Sequence, residues 1–288
     1  MSASPPLDAD RLKSWIGRCE SVADTVTPVP VAALSATLDR DDPPPRPGDP
    51  LPPLWHWLYF LPLHRQSELG PDGHAKRGGF LPPVELPRRM WAGGRFTFHQ
   101  PLHVGEAIHR TSTIADVSHK EGRTGSLVFV LVRHEIAGES GPAITEEHDV
   151  VYRQAPHPDD AVPPPRRAPV NALWRRRIVP DAVLLFRYSA LTFNGHRIHY
   201  DRSYVTGVEN YPGLIVHGPL LATLLVDLLR RNVESPLASF GFRAIRPLFD
   251  TAPFAVAGTP EPAGGAALWA EDAEGVLAMQ AEARFVSS

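Results

Sequence analysis

The stretch HGPLLATLLVDLLRRN, residues 217–232, decides the fold. Pro219 suits the first turn of a helix, and apolar residues recur at helical spacing, so the pattern predicts a helix over residues 217–231. Leucines cover most of its circumference: Leu220, Leu221, Leu224, Leu225, Leu228 and Leu229. A helix that is apolar nearly all round must be surrounded by other structure, since one apolar neighbour cannot cover it.

The segments around this helix are typical of antiparallel strands, and the same plan occurs twice. In the second half we predict a short strand over 184–188, the helix, and strands over 238–247, 254–259, 265–272 and 276–285. In the first half we predict a short helix within 8–19, a buried helix over 54–61, and strands over 94–100, 107–117, 126–136 and 144–152. Periodicity therefore predicts a helix followed by antiparallel strands, twice.

A proline-rich segment separates the two halves. It reads APHPDDAVPPPRRAPV, residues 155–170, and such a sequence can form neither a helix nor a central strand. We therefore predict an N-terminal domain over 1–155, a linker over 156–175 and a C-terminal domain over 176–288.

Composition excludes several classes of protein. The formal net charge is -3 and no long basic run is present, which argues against nucleic-acid binding. The single cysteine, Cys19, cannot form an internal disulfide, and we expect it to be a small buried hydrophobe. The N-terminus lacks the pattern of a secretory signal, and no apolar run is long enough for a membrane helix. A cytoplasmic protein without a membrane partner is the expectation.

The segment 187–220, RYSALTFNGHRIHYDRSYVTGVENYPGLIVHGPL, resembles the hydratase motif of the MaoC-like and R-specific enoyl-CoA hydratases. In that family a Tyr, a Ser-Gly-Asp, an Asn-Pro-x-His-x-Asp and a later His-Gly follow one another. Here Tyr188, His199, Asp201, His217 and Gly218 occupy the matching positions. The resemblance implies an acyl-CoA hydratase of α+β class with a double hotdog fold, in which two curved antiparallel sheets each enclose a central helix. It implies no cofactor beyond the CoA thioester substrate.

The departures from that motif indicate one branch of the family. Asn194 stands where the family has a catalytic Asp. The form Ser-Ala-Leu-Thr-Phe-Asn-x-His-Arg-Ile-His-Tyr-Asp is similar to mesaconyl-C4-CoA (3-methylfumaryl-CoA) hydratases, itaconyl-CoA hydratases and mitochondrial-type 3-hydroxyacyl-thioester dehydratases. The stretch RRMWAGGRFTFHQPLHVGE, residues 88–106, also resembles this branch. The first half holds no second copy of the motif, so we expect a catalytic C-terminal hotdog and a non-catalytic N-terminal hotdog that shapes the substrate tunnel.

Hydration of an enoyl thioester needs an activated water, a proton for Cα and stabilisation of the enolate oxygen. His199 is the candidate acid and base, because an imidazole exchanges protons near neutral pH. Asn194 can position the water but cannot titrate. Five residues separate the two, which is roughly 140° around a helix, so they converge only from a loop or a broken turn.

Gly218 is the candidate oxyanion donor. It precedes Pro219, so its amide would be an unpaired donor at the N-terminus of the buried helix. A thioester carbonyl placed there would meet that amide and the positive end of the helix dipole. The equivalent glycine has this role in the family.

Three further residues of the motif have structural alternatives. Tyr188 either contacts substrate or is an ordinary packed aromatic. His217 is expected to fix the entry of the helix by a hydrogen bond. Asp201 caps a turn, in preference to orienting the loop.

Two other groups of side chains complete the candidates. Arg88, Arg89 and Arg95 are candidate ligands for the CoA phosphates, with a solvated strand edge as the alternative. His196 and His199 have the i, i+3 spacing of a metal-ligand pair, but no carboxylate or cysteine cluster accompanies them in sequence, so we predict no metal.

These observations favour a hydro-lyase acting on an acyl-CoA, with mesaconyl-C4-CoA preferred over itaconyl-CoA or a 3-hydroxyacyl thioester of fatty-acid metabolism. A hotdog thioesterase is disfavoured, because such an enzyme would need a carboxylate at the position of Asn194. A non-catalytic subunit that binds acyl thioesters is the alternative from another class. A double hotdog already contains a pseudo-dimer, so either a monomer or a homodimer is expected.

Overall fold

The computed structural model describes residues 8–122, 125–154, 164–262 and 264–286. Among these residues, ten strands form one antiparallel sheet, and there are five α-helices. The strands are β1 Cys19–Thr25, β2 Arg88–Phe98, β3 Ala107–Gly122, β4 Gly125–Gly138, β5 Gly141–Arg153, β6 Trp174–Ile178, β7 Leu237–Ala244, β8 Phe254–Glu261, β9 Gly265–Glu271 and β10 Leu277–Phe285. The helices are α1 Ala9–Lys13, α2 Pro28–Thr37, α3 Ala182–Leu191, α4 Arg202–Gly207 and α5 Gly218–Arg230.

The strand order shows that the two halves repeat one topology. Along the sheet the order is β1-β3-β4-β5-β2-β7-β10-β9-β8-β6, so the second half has the order of the first when it is followed from the opposite edge. The inner edges join because β2 pairs antiparallel with β7, from Gly93 opposite Arg243 to Thr97 opposite Ser239. The α+β prediction with two repeated halves is confirmed, and the two predicted sheets are continuous through this pairing.

Helix α5 lies in the principal core, as its all-round apolar pattern predicts. Every residue from Leu220 to Leu229 is buried, and the helix contacts β6, β8, β9 and β10. The same core contains Phe96 of β2 and Phe240 of β7, so both halves contribute to it. Each fully buried leucine stabilises the fold by about 1.5–3 kcal/mol.

The prediction of a buried helix over 54–61 is wrong, because most of this stretch is not helical. Only Trp55–Leu58 is helical there, as a single 3-10 turn, although its apolar side chains are buried as expected. Leu54 and Phe60 have positive φ values of 68° and 55°, and neither conformation continues a helix. The longer helix of this half, α2, was not predicted, because its prolines at the first turn resemble a turn signal.

Two further predictions require correction in the second half. The stretch 184–188, predicted as a strand, lies within α3. Asp181 caps that helix by accepting a hydrogen bond from the backbone N of Leu184 at 2.8 Å, and the burial follows helical spacing. The edge strands β1 and β6 were also missed. Residues 156–163 of the predicted linker lie outside the described residues, and β6 begins at Trp174, inside the predicted linker.

The N-terminal segment differs from the prediction in two ways. The helix expected within 8–19 ends at Lys13, and Cys19 begins the edge strand β1. Cys19 is exposed, so the prediction of a buried small hydrophobe is wrong. An edge strand presents alternate residues to solvent, and a cysteine on it need not be covered. Within the described residues no helix has the length and apolarity required to cross a membrane.

One buried carboxylate ties the central helix to both halves of the chain. Asp227 of α5 has a fully buried side chain and forms ion pairs with Arg40 at 2.7 Å, Arg176 at 2.8 Å and Arg231 at 2.7 Å. Arg40 follows α2, and Arg176 lies in β6. A buried carboxylate with this many partners fixes how α5 sits between the halves.

We predict that Asp227→Ala lowers the free energy of unfolding by about 3–5 kcal/mol, because three arginines lose their buried partner. Urea unfolding followed by circular dichroism measures this. Asp10→Ala is the matched control, since Asp10 is 97% exposed and makes only a 3.8 Å contact with Lys13. Equal stability of the two variants would contradict the prediction.

Candidate active site

His199 sits at the end of a 3-10 turn, Arg197–His199, directly before α4. Its side chain is 8% exposed, and its Nδ1 lies 2.8 Å from the carbonyl oxygen of Ile215. A carbonyl can only accept a hydrogen bond, so Nδ1 carries the proton and Nε2 keeps its lone pair. The ring is therefore held as a neutral imidazole with Nε2 available as an acceptor.

His217 supports His199 from the start of α5. The two rings are stacked, with centroids 3.7 Å apart and planes 19° apart. His217 is fully buried as the N-cap residue of α5, and its Nε2 lies 2.8 Å from the hydroxyl of Ser189 in α3. Tyr188 contacts the edge of the His217 ring at 5.1 Å and is itself 2% exposed. Ser189 and Tyr188 thus hold the histidine on which His199 rests.

Burial keeps both stacked imidazoles neutral. It lowers the pKa of His199 to about 4, although the bond to the carbonyl of Ile215 acts in the opposite direction. It also lowers the pKa of His217 well below its ordinary value, and the neighbouring His199 adds to this effect. Two charged rings would repel each other at this distance, so the stacking excludes a charge on both rings at once. His199 is available as a base across the neutral pH range.

Asn194 belongs to the broken turn that the residue spacing requires. Helix α3 ends at Leu191, Phe193 adopts a left-handed conformation with φ 49°, and the 3-10 turn that carries His199 follows. The Oδ1 atom of Asn194 accepts a hydrogen bond from the backbone N of His196 at 3.0 Å. Its Nδ2 group is the part of the amide left to donate to a ligand.

Gly218 is the first residue of α5, so its amide is one of the orphan donors at the helix N-terminus. The space beside it is open: a Cβ placed on Gly218 would meet no atom within 4 Å. His217 precedes it and stacks on His199, so the helix N-terminus and the available Nε2 atom belong to one site. An acyl carbonyl can approach the amide without a clash.

A loop of the N-terminal half reaches this site, and we call residues 70–74 the 70–74 loop. The backbone N of Arg197 donates to the carbonyl of Asp72 at 2.9 Å. A Cβ on Gly73 would lie 1.9 Å from the carbonyl oxygen of Gly195, so only glycine fits. His74, the last residue of the loop, places its ring 3.9 Å from that of His196, and the ring of His196 is 5.4 Å from that of His199.

One group in the described part of the chain has the geometry of a metal site. Ligand atoms of Asp72, His74 and His196 all lie within 4.8 Å of one another. Imidazole and carboxylate ligands suit a divalent transition metal. The His196 and His199 pair considered from spacing is not this group, because the partners of His196 come from the 70–74 loop. The prediction of no metal stays a prediction.

The two candidate arginines lie apart from the histidines. Arg95 is on the sheet face opposite Phe96, which points into the core, and it forms ion pairs with Glu147 at 2.9 Å and Asp149 at 2.7 Å. Arg88 pairs with Glu209 at 3.4 Å and lies over the ring of Tyr211. The structure therefore does not bring Arg95 to His199, and it gives Arg88 partners within the protein.

Neither of two surface depressions formed by the described residues corresponds to the predicted substrate tunnel. Two depressions of about 450 Å³ and 390 Å³ surround Arg167, with Trp269 and Gln280 lining the larger and Glu271 the smaller. Both lie away from His199, so the chemistry of the histidine site, and not the size of a depression, identifies the candidate site. The tunnel remains a prediction.

Sequence reasoning missed Ser189, Asp72 and His74. Ser189 stands beside Tyr188 within the motif, and its pairing with His217 spans 28 residues of sequence. The turn signal Gly70-Pro71-Asp72-Gly73 before His74 indicates a loop, but nothing in the sequence shows where a loop will dock. The hypothesis that Asp201 caps a turn is confirmed, because its side chain accepts from the backbone N of Tyr204 at 3.0 Å.

The family model for hydroxyacyl-thioester dehydratase type 2 matches residues 54–250. The chain belongs to this family. It is also 49% identical over 247 residues to the mesaconyl-C(4)-CoA hydratase of Chloroflexus aurantiacus, which covers 86% of this chain and 88% of that protein. The region that the family model matches, residues 54–250, includes the entire 187–220 motif. The resemblance inferred from the motif is therefore confirmed.

Solved structures show the same fold at low sequence identity. A MaoC-like dehydratase superposes with a TM-score of 0.70 at 14% identity and covers 96% of this chain and all of that one. A Mycobacterium tuberculosis protein described as a double hotdog has a TM-score of 0.57 at 13% identity and covers 94% of this chain and 96% of that one. The double hotdog assignment is confirmed.

We predict that His199 stays neutral from about pH 8 down to about pH 5, because burial lowers its pKa to about 4. Histidine-selective NMR follows the ring carbon and proton shifts with pH, and the spectrum of His199→Gln assigns the signal. A titration midpoint near the ordinary histidine value would contradict the neutral, stacked arrangement.

Proposed function

We propose that the protein is a hydro-lyase that adds water across the C=C bond of an enoyl thioester. We further propose mesaconyl-C4-CoA as its substrate and citramalyl-CoA as its product. The observation that carries the proposal is the stack of His199 on His217, because it joins an unprotonated Nε2 atom to the N-terminus of α5. A base and an oxyanion donor within one site are what hydration of a thioester requires.

The reaction follows from these groups. A water molecule accepts a hydrogen bond from Nδ2 of Asn194 and donates one to Nε2 of His199. His199 takes a proton as the water oxygen attacks Cβ, and the C=C electrons move through Cα onto the thioester oxygen. The amide of Gly218 and the α5 dipole stabilise that enolate. The proton on His199 then passes to Cα, which restores the carbonyl and the neutral imidazole.

The preference for mesaconyl-C4-CoA rests on the identity to the Chloroflexus aurantiacus hydratase. Itaconyl-CoA and 3-hydroxyacyl thioesters can use the same residues, and the family description favours the latter as the second candidate. Thioester hydrolysis is disfavoured, because Asn194 supplies no carboxylate to act as nucleophile or base. A non-catalytic binding subunit is disfavoured, because a binding site alone does not need an available base such as Nε2 of His199.

The CoA thioester and the single exposed cysteine support a reducing compartment, and we propose the cytoplasm. The assembly is proposed to be a monomer or a homodimer, since the two halves already form the pairing that single hotdogs make between chains.

We predict that the wild-type protein removes the enoyl-thioester absorbance of mesaconyl-C4-CoA without releasing free thiol. His199→Ala lowers kcat by about 10²- to 10⁴-fold, because the base is lost. His64→Ala is the control, since His64 is exposed and lies in another segment. Release of thiol would make the protein a thioesterase, and no change in absorbance with any enoyl thioester would favour the binding subunit.

We predict that Gly218→Ala lowers kcat by about 10-fold or more while the melting temperature changes little. The added methyl group meets no protein atom, but it occupies the space through which the thioester carbonyl approaches. Gly207→Ala is the matched control, because a Cβ there is equally free of contacts and Gly207 ends α4, away from the start of α5. Equal activity of the two variants would exclude Gly218 as the oxyanion donor.

A further inference from the structure

The residues of the proposed reaction steps leave the free carboxylate of the proposed substrate without a binding partner. In mesaconyl-C4-CoA the carbon attacked by water carries a methyl group and a free carboxylate. Because that carboxylate is bonded directly to the reacting carbon, the group that binds it must lie beside His199. The need for such a group rests on the proposed function.

Two further imidazole rings, those of His196 and His74, lie in a row beside His199. The ring of His196 is 5.4 Å from that of His199 and nearly perpendicular to it, at 88°. The ring of His74 lies 3.9 Å beyond His196. The first ring belongs to the second half of the chain and the second to the 70–74 loop, so both halves meet beside His199.

These two rings have polar atoms without partners among the described residues. His196 is half-buried, and neither of its ring nitrogens forms a hydrogen bond within the described part of the chain. The Nδ1 atom of His74 is 3.2 Å from Oδ2 of Asp72, which leaves its Nε2 atom unpaired there. A ring nitrogen that carries a proton can donate a hydrogen bond to a ligand carboxylate.

Arg89 supplies a positive charge near His74 and His196. Arg89 lies opposite Tyr152 in the pairing of β2 with β5, so its side chain is on the face of the sheet that Tyr152 buries. Burial lowers the pKa of both His74 and His196, and the nearby positive charge of Arg89 adds to it. Its strand neighbours Arg88 and Arg95 have carboxylate partners, whereas Arg89 has none among the described residues.

Asp72 is the negative group at the same place, and its oxygens are already engaged. One accepts from the backbone N of His74 at 3.1 Å and the other contacts the ring of His74. This contact fixes the tautomer of His74 and directs its Nε2 atom away from Asp72.

We propose that His74 and His196, with Arg89 behind them, form a subsite that binds the free carboxylate of the substrate. The subsite selects monothioesters of unsaturated dicarboxylic acids over plain enoyl thioesters. It gives the N-terminal half a direct part in recognition, through the loop that Arg197 holds by its bonds to the carbonyls of Pro71 and Asp72.

The test compares three thioesters that share the CoA part. Crotonyl-CoA has hydrogen in place of the carboxylate of mesaconyl-C4-CoA, and 3-methylcrotonyl-CoA has a methyl group there. For Arg89→Gln and for His196→Gln we expect kcat/KM with mesaconyl-C4-CoA to fall by about 10- to 100-fold. With the two other thioesters it stays within about twofold. Arg89→Lys, which keeps the charge, recovers part of the loss.

The control is Arg133→Gln, the same substitution at an exposed arginine whose partner is Glu147, and it leaves all three substrates unaffected. Binding of saturated analogues by calorimetry gives a second readout that does not need turnover. Methylsuccinyl-C4-CoA should lose affinity for Arg89→Gln, and isovaleryl-CoA should not. Circular dichroism of each variant separates loss of recognition from loss of fold.

Several outcomes would overturn the subsite. Equal losses with all three thioesters would assign Arg89 to the CoA phosphates or to the fold, and no loss with mesaconyl-C4-CoA would remove it from recognition. One equivalent of metal in the purified protein, lost in His196→Gln, would make the cluster a metal site. The proposed function fails separately, if the wild-type protein hydrates no enoyl thioester. Turnover of mesaconyl-C4-CoA with unchanged selectivity in the variants refutes the subsite alone.

Discussion

Burial of α5 is the constraint on which the rest of this structure depends. A helix that is apolar nearly all round is stable only when other structure covers it, and here β6, β8, β9 and β10 contact it within a core to which both halves contribute. Asp227 fixes the orientation of the buried helix. One of its three arginine partners follows α2, one lies in β6 and one follows the last residue of α5. The sheet is continuous through β2 and β7 because the two halves close around one shared core.

The candidate site follows from where that helix begins. Its N-terminus must present unpaired amides, and His217, as N-cap, brings one neutral imidazole there on which His199 can stack. Burial keeps both rings uncharged. The neutral imidazole of His199 can therefore lie near the electropositive end of the helix without charge repulsion. The fold and the candidate site therefore share one element: the helix that organises the core also presents its N-terminal amides beside His217.

The two halves of the chain meet at the histidines. Asn194 and His199 belong to the second half, and Asn194 stands where the resembled motif has an Asp. The 70–74 loop of the first half brings Asp72 and His74 to the same place, and the close contact of Gly73 with Gly195 fixes its position. A single hotdog formed by the second half would lack that loop, so the surroundings of His199 depend on both halves.

The sequence alone determined the buried helix, most strands and the residues of the motif, because leucine periodicity, strand alternation and motif spacing are local properties. It did not predict the edge strands, the helix α3 or the 3-10 turn at Trp55, where turn chemistry and tertiary packing outweigh a short pattern. The row from His199 to His74 was beyond reach, since its members are 125 residues apart and meet only when two loops dock. Docking depends on the shape of the whole core, and no local pattern encodes it.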